Sequence, residues 1–100
     1  MYKFKRDTYS RNRDGTSHVL DVACKHCGQH TAYYQKDGPG ALLRMYVDRF
    51  IDVLPSGEQL VCSSCGHALG MRTIFQKEHR PAYRLYAGAV TKKITDPRNV

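Results

Sequence analysis

All four cysteines of the chain fall into two matching elements, Cys24-Lys-His-Cys27-Gly28 and Cys62-Ser-Ser-Cys65-Gly66, with 34 residues between Cys27 and Cys62. Two residues between the thiols let the backbone turn tightly enough for both sulfurs to face one point. The glycine that follows suits a turn needing a positive φ or a close approach of backbone amides to sulfur. Each element therefore supplies half of a tetrahedron. Two halves make a closed four-thiolate site, for which Zn²⁺ is the natural occupant, with Zn–S distances of about 2.3 Å and no vacant position for a substrate. The expected metal ligands are Cys24, Cys27, Cys62 and Cys65, and the expected cofactor is one structural zinc ion. Binding energies for such sites run to roughly 10–16 kcal/mol, comparable with or above the stability of a whole small domain, so metal binding and folding are expected to be coupled.

Three other uses of the cysteines compete with this one. Two disulfides need an oxidising compartment and gain nothing from duplicated turns that end in glycine. A redox dithiol is usually a single Cys-x-x-Cys with a low-pKa attacking thiol, which leaves the second copy unexplained. Iron in a rubredoxin-like site stays open, because tetrahedral sulfur suits iron as well as zinc. The histidines His18, His26, His30, His67 and His79 invite a ligand role, and three of them sit beside the knuckles. With four thiolates already available they read as exposed polar groups or as hydrogen-bond donors around the knuckles. No pair has the His-Glu-x-x-His spacing of a helical metalloprotease site.

The elements that must position the cysteines are expected to be mainly β, a small antiparallel sheet carrying two knuckles. His18 to Ala23 alternates, with Val19, Asp21 and Ala23 on one side and Leu20 and Val22 on the other, and delivers a strand into the first knuckle. Thr31 to Lys36 leaves it with strand-favouring residues, and Asp37-Gly-Pro-Gly40 then breaks regular structure. Residues 41–54 carry a conflict. Leu43, Tyr46, Val47, Phe50, Ile51 and Leu54 recur at helical spacing, whereas their types and the position between two knuckles favour a strand, which is the reading adopted, with a short helix as the alternative. Met71 to Lys77 and Ala82 to Thr95 read as two strands joined by Glu78-His-Arg-Pro81. The domain organisation expected is a basic amino-terminal arm over 1–17, flexible or an edge strand with a turn at Asn12-Arg-Asp-Gly15, one metal-binding domain over 18–95, and a tail over 96–100.

Charge and composition bound the partners. One hundred residues with 41% hydrophobic and 25% charged content fit one globular domain, and no apolar stretch approaches the roughly 18 residues of a membrane helix. The amino terminus lacks the apolar segment of a secretory signal, so the expected address is the cytoplasm. The formal net charge of +7 is uneven: +4 over residues 1–13, −2 over 14–71 and +5 over 72–100. A pI near 9.4 is the electrostatic footprint of many nucleic-acid binders.

On short strands, Cys24-x-x-Cys27-Gly28 and Cys62-x-x-Cys65-Gly66 resemble the knuckles of zinc ribbons. Cys65-Gly-His-Ala-Leu69-Gly70 is similar to the second knuckle of β-tent modules of the Yippee and cereblon type, although no Trp follows Gly70 and the insert between the knuckles is short. Tyr34-Gln-Lys-Asp-Gly-Pro-Gly40 is similar to a segment of a family of small bacterial proteins, a likeness that implies no activity. The zinc-ribbon resemblance implies binding of nucleic acid or protein more often than catalysis. An RNA- or DNA-binding role would draw on Lys3, Lys5 and Arg6 at one end, Lys92 and Lys93 at the other, and rings beside cations at Tyr33, Tyr34 and Lys36 and at Arg84 and Tyr86. The alternative is a structural zinc module that meets a protein partner. An enzyme is not expected. Methionine sulfoxide reductase B carries two Cys-x-x-Cys elements on a related β scaffold but needs a further cysteine, and here none is left.

Overall fold

The computed structural model describes residues 1–13 and 16–100. The turn expected at Asn12-Arg-Asp-Gly15 falls partly on Asp14 and Gly15, outside the described residues. The fold is mainly β: among the described residues seven strands form two antiparallel sheets. The first sheet has the order β2-β1-β7, from β1 (Ser17–Cys24), β2 (His30–Asp37) and β7 (Val90–Thr95). The second has the order β3-β6-β5-β4, from β3 (Arg44–Tyr46), β4 (Gln59–Val61), β5 (Ala68–Phe75) and β6 (Arg80–Leu85). No helix of the described residues is long and apolar enough to cross a membrane.

The alternation in β1 builds the core. Leu20, Val22 and Cys24 face the second sheet and meet Met45, Leu60, Leu69 and Tyr83, with Ala32 and Tyr34 of β2 beside them. Val19 lies on the opposite face and is also fully buried, because it pairs with Gln35, and Gln35 is covered by the amino-terminal segment. The Tyr2 hydroxyl and the Lys5 N–H both donate to Gln35 Oε1, at 2.6 and 2.8 Å. Instead of a free arm or an edge strand, residues 1–13 therefore close over the outer face of the first sheet and carry a short helix, α1 (Thr8–Arg11). Asp7 and Ser10 form a reciprocal capping box at its start, the pairing that satisfies the orphan N–H groups of a helix end.

Two further expectations change. Neither the strand nor the helix expected across 41–54 runs through that segment: β3 spans three residues, a 3-10 turn follows over Val47–Arg49, and Phe50 bridges to Tyr34. The helical pattern fails because its polar positions are interior ones. Arg49 is 1% exposed and donates to Asp7 and Asp37 at 2.7 and 2.9 Å, while Leu43 and Leu54, on the supposed apolar face, are 63% and 82% exposed. The strand expected over Ala82 to Thr95 is two strands in different sheets. The chain leaves β6 at Leu85, turns through Gly88 at φ +70°, and enters the first sheet as β7.

Arg49 belongs to a larger network in which Arg80 donates to Asp48 and Glu78, and Arg13 makes a two-pronged pair with Glu78. The Arg80 guanidinium is sandwiched between the rings of Tyr9 and Tyr46, at 4.1 and 3.8 Å from their centroids. The Arg49 guanidinium beside Asp7 holds that carboxyl down at about 2, against an ordinary value of 3.8. A carboxyl depressed in the folded state stabilises above its unfolded value and loses that contribution as pH falls toward its folded value. The metal-loaded Asp7→Asn variant should thus be less stable than the wild type at pH 6, with the gap narrowing from about pH 4 downward. Chemical denaturation of both proteins between pH 6 and pH 3 measures it, and a gap independent of pH would contradict the ion pair.

Candidate metal centre and basic groove

The two knuckles cap two hairpins from different sheets. The first joins β1 to β2 and the second joins β4 to β5. Their backbones are held identically: the Cys24 N–H donates to Gln29 O and the Gly28 N–H to Cys24 O, at 2.9 and 2.7 Å, and the Cys62 N–H donates to His67 O and the Gly66 N–H to Cys62 O, at 2.9 and 2.8 Å. Gly28 and Gly66 take φ of +80° and +77°, and an added Cβ would meet no atom within 4 Å at either, so backbone conformation alone demands glycine.

The four sulfurs lie within 4.8 Å of one another. Cys24 Sγ is 3.8 Å from Cys65 Sγ, and Cys27 Sγ is 3.5 Å from Cys62 Sγ. A regular tetrahedron with metal–sulfur bonds of about 2.3 Å has edges of about 3.8 Å, so the donor set fits one four-coordinate ion without rearrangement. Cys24 and Cys62 are buried, Cys27 is half-buried and Cys65 is exposed. Without metal the thiols differ sharply. N–H groups of Cys65 and Ser64 bring Cys62 down to about 6. The His67 N–H favours the Cys65 thiolate, but burial and the other three sulfurs outweigh it and push that thiol up to about 12. A cation in the centre of the four would remove that difference, since it deprotonates coordinating thiols outright.

The histidines are not ligands in this arrangement. His26 and His67, one from each knuckle, stack at 4.7 Å between centroids with planes 11° apart. His30 bridges Asp21 and Asp52 through its two ring nitrogens, at 2.7 and 2.8 Å. Burial opposes its charge, yet the two carboxylates raise its pKa above the ordinary imidazole value. Asp52 also accepts from the Tyr33 N–H, so this bridge pins the segment after the 3-10 turn to β2.

The residues considered for nucleic-acid contact divide into three groups. Tyr34 is buried, 2% exposed, with its hydroxyl accepting from the Tyr46 N–H, which makes it core rather than a stacking surface. Lys5, Arg6, Tyr33 and Tyr86 are engaged separately, and Lys3 is exposed in the amino-terminal segment: the Lys5 ammonium donates to Asp48 O, Arg6 lies over Phe4, Tyr33 packs on His30, and the Tyr86 hydroxyl accepts from Gln59. Lys36, Arg84, Lys92 and Lys93 converge. Lys92, Lys93, His18 and Lys36 line one depression, which shares Lys36, Gly38 and Pro39 with a second lined also by Arg13 and Arg44. That second depression shares Leu43 and Arg44 with a third, at Arg84 and Leu85. The three adjoin one another through these shared residues and are together termed the groove. Arg13, Arg44 and Phe75 were not singled out by sequence, and no local signal marks them, because they reach the groove from separate elements.

No family model, curated protein or solved structure matches the chain. The likeness to zinc ribbons and β-tents therefore rests on the knuckles.

Stripping the metal from the full chain with a chelator should abolish its cooperative thermal transition, and adding a divalent ion back should restore it. An unchanged transition in the stripped protein would uncouple the sulfurs from folding. Gly66→Ala should cost about 1–2 kcal/mol by chemical denaturation, the cost of a side chain in left-handed backbone.

Proposed function

We propose that the protein is a structural-zinc module that binds nucleic acid, RNA or DNA, along the groove, and that it is not an enzyme. Zinc is favoured by the closed set of four sulfurs at tetrahedral spacing, which leaves no open coordination position for a metal-bound water or substrate. The metal then has a structural task.

The nucleic-acid reading rests chiefly on one observation: five cations in the groove, Lys36, Arg44, Arg84, Lys92 and Lys93, have no carboxylate within ion-pair distance among the described residues. The one carboxylate in the groove lining is Asp37, whose side chain is 4% exposed and already engaged with Arg49, Ser17 and Gln35. Arg13 and Arg80, which also reach the groove lining, and Arg49 beside it are paired with carboxylates. A set of uncompensated positive charges along adjoining depressions suits a phosphate backbone, which contributes affinity through counterion release. A partner protein is the second reading. It is favoured by exposed Val53, Leu54 and Val61 near an apolar cleft lined also by Pro55 and Leu60, away from the basic groove.

Fluorescence anisotropy of the metal-loaded protein with short labelled oligonucleotides across a potassium chloride series tests the choice. Five phosphate contacts give a slope of log K against log salt of about −3.5 for a single strand. Replacing both Lys92 and Lys93 by Gln should reduce that slope to about −2, while replacing Lys3 and Lys5 should leave it near its original value. Equal effects of the two double variants would reduce the binding to bulk charge and return the partner-protein reading to the front.

A further inference from the structure

We propose that the middle depression of the groove is a nucleotide pocket, holding one phosphate against Lys36 and Arg44 and the attached base against Phe75 and the Leu42–Leu43 wall. The proposal rests on the groove reading above and adds a defined ligand chemistry to it.

The depression has a volume of about 300 Å³. That is the lower end of the range in which small-molecule sites occur. Its lining combines the two chemistries a nucleotide needs. Arg13, Lys36, Arg44 and Arg80 supply positive charge, and Leu42, Leu43, Tyr46 and Phe75 supply apolar and aromatic surface. Of the cations, Lys36 and Arg44 have hydrogen-bonding capacity not taken up by other side chains. The Lys36 ammonium donates to Gly38 O and Pro39 O at 2.9 and 3.2 Å, which uses two of its three donors on neutral carbonyls. Arg44 lies over the Phe75 ring at 4.7 Å and makes no hydrogen bond or ion pair with any described residue, so its fork of donors is unspent. Arg44 over Phe75 presents guanidinium and ring surface, the two kinds of surface on which an unstacked base rests.

A third observation comes from beneath. Arg80 is 3% exposed, lines the pocket, and has its Nε buried without a partner although its two terminal nitrogens are paired. A buried donor left unsatisfied is costly, and an acceptor within reach of it is the chemistry that relieves it. The like charges also crowd: burial first, then Lys92 and Arg13, lower the Lys36 pKa below the usual ammonium value. A phosphate placed among them offsets that repulsion. The shape is set by Gly38, which has φ +75° and whose added Cβ would sit 2.8 Å from Arg13 Cβ and 2.9 Å from Arg13 O, so the turn after β2 presses directly on Arg13.

The test is an NMR titration of the full, metal-loaded chain with adenosine 5′-monophosphate, uridine 5′-monophosphate, adenosine and inorganic phosphate, and separately with an unlabelled oligonucleotide of about ten nucleotides. The proposal expects both nucleotides to saturate with Kd below about 1 mM while shifting the Phe75 ring and Arg44 signals, with adenosine and phosphate each weaker by about tenfold or more. Arg44→Ala, which removes no ion pair, and Phe75→Leu, which keeps the site apolar, should each weaken the nucleotides by about tenfold with the rest of the amide spectrum unchanged. Phosphate binding as tightly as the nucleotides would overturn the proposal in favour of a plain anion site. An oligonucleotide that binds without moving the Phe75 signals, with no response to mononucleotides, would overturn the pocket and leave the groove reading intact. Mononucleotides that bind where the oligonucleotide does not would support the pocket and remove the groove reading.

Discussion

Everything else in this fold depends on the meeting of four sulfurs from two hairpins that belong to different sheets. The β1–β2 hairpin brings Cys24 and Cys27 and the β4–β5 hairpin brings Cys62 and Cys65, and the core of Leu20, Val22, Leu60 and Leu69 lies between the same strands. A domain of this size buries a limited apolar surface, so a small core has little margin over the entropy of ordering the chain. A metal bound by both hairpins acts on that margin directly, because the unfolded chain has no preformed site and the binding energy is added to the folded state. The unequal Cys62 and Cys65 thiols agree with such a centre, since a central positive charge is what lets crowded sulfurs ionise together.

The second constraint is polar. Arg49 and Arg80 lie inside the molecule, and burying such charges is costly unless each is paired with good geometry. Here the partners come from distant parts of the chain: Asp7 from the amino terminus, Asp37 from the end of β2, Asp48 from the 3-10 turn and Glu78 from the turn before β6. This network ties residues 1–13 to both sheets. It selects one docking of the amino-terminal segment, since any other leaves an arginine or a carboxylate buried alone. The sulfurs connect the hairpin ends, and the arginines set how the remaining segments pack.

The legible parts of the fold are those set by local rules. Two Cys-x-x-Cys-Gly elements impose their own hydrogen bonds and their own left-handed glycine, so the site can be read without knowing the rest of the chain. The alternation of β1 is equally local, because each residue faces the side its polarity prescribes, with Val19 as the exception covered by Tyr2 and Lys5. The misread elements depend on long-range partners. Arg49 looks like the polar face of a helix until Asp7 and Asp37 are found around it. Ala82 to Thr95 looks like one strand because Gly88 and Ala89 are too small to announce a change of sheet. Charge also gathers across the fold and not only along the chain. Summed along the chain it concentrates at the two ends, yet the groove draws Lys36 and Arg44 from the near-neutral middle and leaves Lys3, Lys5 and Arg6 out.

Metal and groove are linked by geometry although they share no residue. The first knuckle sits where β1 passes into β2, and Lys36, Asp37 and Gly38 sit at the other end of β2. Six residues of strand separate His30 from Lys36, about 20 Å at the rise of an extended chain. One wall of the middle depression therefore belongs to the first sheet, while Arg44, Phe75 and Arg80 belong to the second. A pocket built from two sheets keeps its shape only while the sheets keep their relative position. Two devices hold that position, the sulfurs at one end of β2 and the arginine network beside the other. Losing either would remove one of the two restraints on that position, so a metal held by the four sulfurs would bear on the spacing of the walls as well as on folding, although it touches neither wall.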